Sequence, residues 1–196
     1  MKQVEMKAVR SLNTLIVVAA LTVILLPLGA LAHCDSMDGP VVKAAQNALA
    51  TRNVNFVLIW VQKENESEVS DAFKQTLKVR RFGRDARLLA DKYFFETIVR
   101  LHRAGEGEPY TGLKPAGTNI VPIIRLLDGA IDSGSAAQLL NEVPIAAKAD
   151  VEEQFRQVIG LKKYDINNVE AGRRYVKSYV TFIHHVEELY ETSHSS

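Results

Sequence analysis

The sequence has a single cysteine, Cys34, among its 196 residues, and this excludes an intramolecular disulfide. It also lacks an excess of either charge, since 24 Lys and Arg are matched by 23 Asp and Glu. A nucleic-acid-binding chain typically has a basic excess, often with interleaved aromatic residues, and this sequence has neither. We therefore expect no nucleic-acid partner.

Alternating apolar and polar runs bounded by hairpin turns are also missing, so strands are not expected. Apolar residues recur instead at helical spacing. The predicted helices cover residues 40–50, 53–80, 84–104, 121–131, 136–141, 151–159 and 169–191. The second contains a stretch that is polar all round, residues 63–68, where we expect it to break. The sequence predicts an all-α protein, a four-helix bundle with short additional helices.

Two of these helices have apolar stripes that predict the core. In the helix over residues 84–104 the stripe consists of Leu88, Leu89, Tyr93, Phe94, Ile98 and Leu101. In the last helix it includes Val176, Tyr179, Ile183 and Val186. Between them, residues 104–118 are rich in Gly and Pro, which predicts a long loop. It has no G-x-x-x-x-G-K-[ST] pattern, so we expect it to cover the end of the bundle rather than to bind phosphate.

The first 32 residues have the three parts of a secretory signal. Three basic residues precede an uncharged apolar run, residues 15–31, and the run ends in an A-x-A cleavage site, residues 30–32. We therefore predict a signal peptide over residues 1–32 and export to the periplasm or medium. The mature protein would begin at His33 and form a single helical domain, residues 33–196.

Two alternatives to cleavage remain open. An apolar run of about 17 residues is at the lower edge of what spans a membrane, so the segment could instead stay as an N-terminal anchor. In that case the membrane would be a partner, and only through this uncleaved segment. Lipidation of Cys34 is the other alternative, and it is disfavoured because His33 occupies a position where a lipoprotein signal needs a small residue.

The start of the mature chain has the donors of a metal chelate. Cleavage before His33 would expose an α-amine beside its imidazole, and the amide nitrogen and thiolate of Cys34 follow directly. These nitrogen and sulfur donors suit Ni(II) or Cu(II), which accept square-planar geometry. The carboxylates of Asp35 and Asp38 lie close enough in sequence to assist, and Gly39 allows the chain to turn back. We predict a metal site at His33, Cys34 and Asp38.

This segment resembles the N-terminal hook of nickel superoxide dismutase, which begins H-C-D-x-x-C-G and wraps one nickel ion. His33, Cys34, Asp35 and Gly39 match that pattern in register, whereas Asp38 stands where the family has its second thiolate. The resemblance implies a helical bundle, a homo-oligomer such as that family's hexamer, and a redox metalloenzyme. With a carboxylate in place of one thiolate, the divalent ion should be favoured and redox cycling weakened.

The chain as a whole is more similar to a family of exported bacterial helical proteins beginning H-C-D-x-x-D-G-P-V-V, for which no activity is assigned. Three functions therefore stay open. The first is a transition-metal-binding exported protein, the second is a redox enzyme of the nickel superoxide dismutase type, and the third is a metal-free envelope protein that acts by interaction. In the third case the H-C-D run would be an ordinary mobile terminus.

The remaining histidines give weaker signals. His102 falls near the end of a predicted helix, where a cationic imidazole would favour the helix dipole. His184 and His185 each share a helix face with Glu188, and we expect surface pairs there, with His185 facing solvent.

Overall fold

The computed structural model describes residues 33–118 and 121–194. The predicted signal peptide therefore lies outside the described residues. The helices that lie wholly within these described ranges are α1 (Pro40–Thr51), α2 (Asn55–Leu58), α3 (Glu66–Val79), α4 (Arg84–Glu106), α5 (Pro122–Ser133), α6 (Lys148–Lys162) and α7 (Val169–His194). Short 3₁₀ turns occupy Lys63–Asn65, Arg80–Phe82, Leu139–Asn141 and Ile145–Ala147. The described residues contain no strand, only a single bridge between Ser36 and Lys114. The all-α prediction is confirmed.

The four longest helices form two hairpins, α3 with α4 and α6 with α7, while α1 packs on α4 and α5 packs on α7. This arrangement agrees with the predicted helical bundle with additional helices. The last helix buries its predicted face, which comprises Val176, Tyr179, Ile183 and Val186. The predicted helix over residues 136–141 was wrong in extent, because only one 3₁₀ turn forms there.

Residues 53–80 do not form one helix. The chain stops being α-helical after Leu58 and resumes at Glu66, so the predicted break is confirmed and begins earlier than expected. The five consecutive residues Val57–Val61 are all buried, which a helix with one apolar face cannot achieve. Helix α7 holds this irregular segment through Arg173, whose guanidinium donates to the carbonyl oxygens of Leu58 at 3.2 Å and Val61 at 3.1 Å.

The predicted apolar stripe of α4 was correct in its second half and wrong in its first half. Its buried residues include Ala90, Phe94, Ile98 and Leu101, which are three or four residues apart. By contrast Leu88, Leu89 and Tyr93 are 60%, 72% and 49% exposed. Leu88 and Leu89 are out of register with the buried face, because each residue turns the helix by about 100°. The first two turns of α4 therefore present large apolar side chains to solvent.

Candidate functional site: a buried polar cluster around His33 and Cys34

The described residues begin with a buried segment, in which residues 33–35 are helical and the chain then turns through residues 36–39. His33, Cys34 and Asp35 are 4%, 6% and 1% exposed. The turn closes where the Gly39 amide donates to the Ser36 carbonyl oxygen at 2.9 Å. A Cβ atom on Gly39 would overlap the carbonyl oxygen of His33, so the close approach of these two backbones requires glycine. The prediction that the chain turns back at Gly39 is confirmed.

The glycine- and proline-rich loop covers this turn. The Lys114 amide donates to the Asp35 carbonyl oxygen at 2.9 Å, and the Met37 amide donates to the Lys114 carbonyl oxygen at 3.0 Å. Nearby, the Gly117 amide donates to Asp38 Oδ2 at 2.9 Å, and this hydrogen bond lowers the pKa of the Asp38 carboxyl. The predicted loop therefore pairs with residues 35–38 and fixes the segment that follows Cys34.

His33 is held in one ring orientation by α5 and α7. Its Nε2 lies 3.0 Å from Asp128 Oδ2 and 3.3 Å from the Tyr179 hydroxyl, which itself donates to Asp128 Oδ1 at 2.7 Å. Because a carboxylate only accepts hydrogen bonds, we assign the ring proton to Nε2. The other ring nitrogen, Nδ1, is buried and has no hydrogen-bond partner among the described residues. In a neutral ring of this tautomer, Nδ1 would have the unprotonated lone pair.

Cys34 is a buried free thiol beside this histidine. Burial raises the pKa of the thiol strongly, and the negative charge of Glu106 raises it further, while the positive charge of Arg103 opposes both. Asp35 and Asp128 add smaller contributions in the same direction as Glu106. In the protein as described, the sulfur is protonated at neutral pH, and a cation would be needed beside it to stabilise the thiolate.

Arg103 stands at the centre of the acidic residues. It is 1% exposed, and its Nη1 donates to Glu106 Oε2 at 2.7 Å. Its Nε lies 3.7 Å from Asp35 Oδ1, and its Nη2 lies 3.7 Å from Glu108 Oε2. Both distances are too long for a hydrogen bond. Burial outweighs the attraction of Arg103 and raises the pKa of Asp35 to about 6.

His102 is a second buried histidine in the cluster. Its Nδ1 donates to the Trp60 carbonyl oxygen at 3.0 Å, and its Nε2 lies 3.3 Å from Glu106 Oε1 without forming a hydrogen bond. Burial lowers the pKa of His102 to about 4, so the ring is neutral at physiological pH. The prediction of a cationic cap was wrong, because burial keeps the ring neutral; α4 ends at Glu106, followed by a left-handed Gly107.

The cluster is rich in carboxylates. Asp35, Glu106, Glu108 and Asp128 contribute four. The groups whose positive charge acts on them include Arg103, Lys114 and, on Glu106, His184. Both histidines that face them are oriented through one ring nitrogen and leave the other free. Asp35 and Glu106 are the more buried of the four, and carboxylates that outnumber the cations beside them favour the binding of a further cation.

Of the three predicted site residues, His33 and Cys34, which are adjacent in sequence, are both buried. Asp38 is directed elsewhere, onto Gly117. In the two described ranges, no three side chains of His, Cys, Asp or Glu are grouped so that they could hold a metal ion. A chelate at the chain start does not need such a group, because two of its donors are backbone nitrogens.

Sequence reasoning missed Arg103, Glu106, Asp128 and Tyr179 as partners of the turn. Arg103 and Asp128 are charged residues next to the apolar stripe of a predicted helix, and this position could have indicated buried charges. His184 is exposed, in accord with a surface position, but His185 is half-buried and accepts a hydrogen bond from Gln154 at 2.7 Å. The expectation that His185 faces solvent was therefore wrong, because α6 packs against that side of α7.

Comparison with known proteins identifies one family. Residues 38–185, about three quarters of the chain, match the model described as "Family of unknown function (DUF6448)". No significant match was found among curated proteins or among solved structures. The matched range includes Asp38, the covering loop, α4, α5 and most of α7, and it begins after His33 and Cys34. The chain therefore belongs to the DUF6448 family.

Proposed function

We propose that this chain is an exported helical protein that binds one Ni(II) or Cu(II) ion through the N-terminus created by cleavage before His33. The donors would be the α-amine and imidazole of His33 and the amide nitrogen and thiolate of Cys34. The observation that carries the proposal is the orientation of His33. Its Nε2 is held by Asp128 and Tyr179 while its buried Nδ1 has no partner. Metal-binding histidines are commonly oriented in this way by a carboxylate.

The charge of the cluster supports the same proposal. Cleavage would create a new amine on His33, whose ring contacts Asp128. Burial raises the pKa values of two other carboxylates of the cluster, Asp35 and Glu106. A divalent ion at Cys34 would stabilise the thiolate that burial otherwise disfavours. Since amine, amide and thiolate must each lose a proton to bind, affinity should fall as the pH is lowered.

Asp38 is the third proposed ligand. Its carboxylate is already engaged by the Gly117 amide, and it would have to leave that contact to reach a metal. The nickel superoxide dismutase hook has its second thiolate at this position. We therefore propose metal binding with little superoxide dismutation, and Asp38→Asn should weaken metal binding less than Cys34→Ser.

The experiment is a titration of the exported protein with Ni(II) and Cu(II), after its intact mass and metal content have been measured. One residue added before His33 should weaken binding sharply, because it moves the amine out of the chelate ring. Cys34→Ser should do the same, while His184→Ala and His185→Ala should leave binding unchanged. Equal metal affinity in the native and extended forms would contradict the proposed chelate. A retained signal peptide would exclude both the metal-binding protein and the redox enzyme, and would leave the metal-free alternative.

A further inference from the structure

A second feature of the molecule lies at the tip of the α3–α4 hairpin, far along the chain from the metal-site residues. Of the six large apolar side chains that are exposed in the described residues, five fall within this short segment. They are Val79, Phe82, Leu88, Leu89 and Tyr93. Phe82 and Leu89 are both 72% exposed, and Leu89 and Tyr93 are neighbours at i, i+4 on α4. Large clustered apolar residues of this kind mark a contact surface.

The same tip is strongly basic. Residues 78–87 contain Lys78, Arg80, Arg81, Arg84 and Arg87, with Asp85 as their only acidic residue. Arg80 already forms an ion pair with Asp91, since its Nε lies 2.5 Å from Asp91 Oδ1. Lys78, Arg81 and Arg84 are exposed and have no carboxylate within 4 Å among the described residues. Their positive charge is therefore available to a partner.

We propose that this hairpin tip docks on the surface of an anionic phospholipid bilayer. Phe82, Leu88 and Leu89 would enter the headgroup–acyl boundary, while Lys78, Arg81 and Arg84 would contact lipid phosphates. The combination of exposed Phe and Leu with flanking Lys and Arg is what interfacial membrane binding requires. Two exposed leucines and a phenylalanine match acyl chains, and the unpaired cations match a negatively charged surface.

The geometry favours docking on the surface rather than insertion across it. In the described part of the chain no helix combines the length and the apolarity needed to span a bilayer. The apolar residues sit at a turn, Arg80–Phe82, and on the first turns of α4, so they form a tip and not a stripe along a whole helix. This contact goes beyond the membrane contact predicted for an uncleaved N-terminal segment, and it depends on neither that segment nor the metal.

A groove beside the tip strengthens the charge argument. It is an open groove of about 1200 Å³, and the apolar side chains that line it include Leu49, Leu77 and Phe95. Its rim includes Arg52, Lys78 and Arg81, so the available cations extend from the tip along one side of the molecule. A bilayer seated on the tip would place its headgroups against this rim.

The test uses a local reporter, because the apolar run of residues 15–31 could bind vesicles by itself if it were retained. Phe82→Trp places a fluorophore at the tip, and Trp60 is buried and contributes a constant background. With vesicles containing phosphatidylglycerol, the emission of this variant should shift to the blue and be quenched by lipids brominated on their acyl chains. Ile145→Trp is the matched control, since Ile145 is 87% exposed and lies outside the tip; its emission should not change.

Charge and apolarity are then tested separately in the Phe82→Trp background. The double substitution Arg81→Gln, Arg84→Gln should lower the partition coefficient on anionic vesicles by about 30-fold and weaken its dependence on salt. Leu88→Ser with Leu89→Ser should abolish quenching by the brominated lipids. Circular dichroism confirms that each variant is folded.

Three outcomes would overturn the proposal. The first is unchanged Phe82→Trp emission with anionic vesicles, and the second is equal binding to neutral phosphatidylcholine vesicles. The third is a blue shift that depends on protein concentration without lipid, which would assign the tip to contact between two copies of this chain. Analytical ultracentrifugation without lipid separates this third outcome from membrane docking.

Discussion

His33 Nε2 lies 3.0 Å from Asp128 Oδ2, which joins the first described residue to the middle of α5. This contact and the Tyr179 hydroxyl select the ring tautomer that leaves Nδ1 free. An asparagine at position 128 would keep the size of the side chain but lose its charge. We expect Asp128→Asn to lower the affinity for Ni(II) by about 10–100-fold, the usual effect of removing such a partner.

The matched control for this variant is Asp132→Asn, which changes the same residue type one turn later on α5. Asp132 is 86% exposed in its side chain and pairs only with Lys162, at 3.5 Å. It should leave the metal affinity unchanged. Isothermal titration calorimetry on both variants decides the point, and similar affinities for the two would show that Asp128 does not orient a ligand.

Arg103 should be among the most sensitive positions for stability. Arg103→Gln removes the guanidinium and leaves Asp35 and Glu106 buried without their counter-charge. Breaking a buried ion pair from one side typically destabilises a protein by about 3–5 kcal/mol. Arg100→Gln, three residues earlier on α4, breaks a half-exposed pair with Glu68 and should cost less than about 1 kcal/mol. Urea unfolding of both variants measures the difference, and equal losses would contradict the central role of Arg103.

The buried Glu187 should make the free energy of unfolding depend on pH. It is 2% exposed, and burial followed by the charge of nearby Glu191 raises its pKa to about 7. The unfolded chain has a lower pKa, so the unfolded state loses this proton first as the pH rises. Protonated Glu187 therefore makes its full contribution to the free energy of unfolding below about pH 4.5. This contribution is lost as the pH rises from about 4.5 to 7.

Glu187→Gln should therefore raise the free energy of unfolding at pH 8 by about 1–3 kcal/mol and change it little at pH 4. Glu188→Gln, at the exposed neighbouring position, is the control and should have no such pH-dependent effect. Thermal melts across this pH range provide the measurement. A wild-type protein that gains stability from pH 4.5 to 7 through Glu187 would contradict the prediction.

Two helical glycines should respond in opposite directions to the same substitution. A Cβ atom at Gly172 would overlap Ile59 Cγ2, because α7 approaches the irregular segment closely there. We expect Gly172→Ala to destabilise the protein by about 1–3 kcal/mol. A Cβ atom at Gly160 on α6 would meet nothing within 4 Å, so Gly160→Ala should stabilise by about 0.5–1 kcal/mol through helix propensity. Chemical denaturation distinguishes the two signs.

The sequence by itself determined the helical character of the protein and most helix positions. Proline at the start of α1 and α5 and glycine after α4 set those boundaries through local backbone preferences. It also determined the turn at Gly39 and the loop that covers it. These features depend on neighbouring residues along the chain, which is why periodicity and breakers were sufficient to predict them.

Only the tertiary structure decided what surrounds His33 and Cys34. Asp128, Tyr179 and Arg103 reach the turn from three different helices, and no local pattern records that convergence. It likewise decided that Leu88 and Leu89 are exposed. Periodicity indicates that a helix has an apolar face, but which residues are buried depends on where neighbouring helices pack, and nothing among the described residues covers the first turns of α4 on that side.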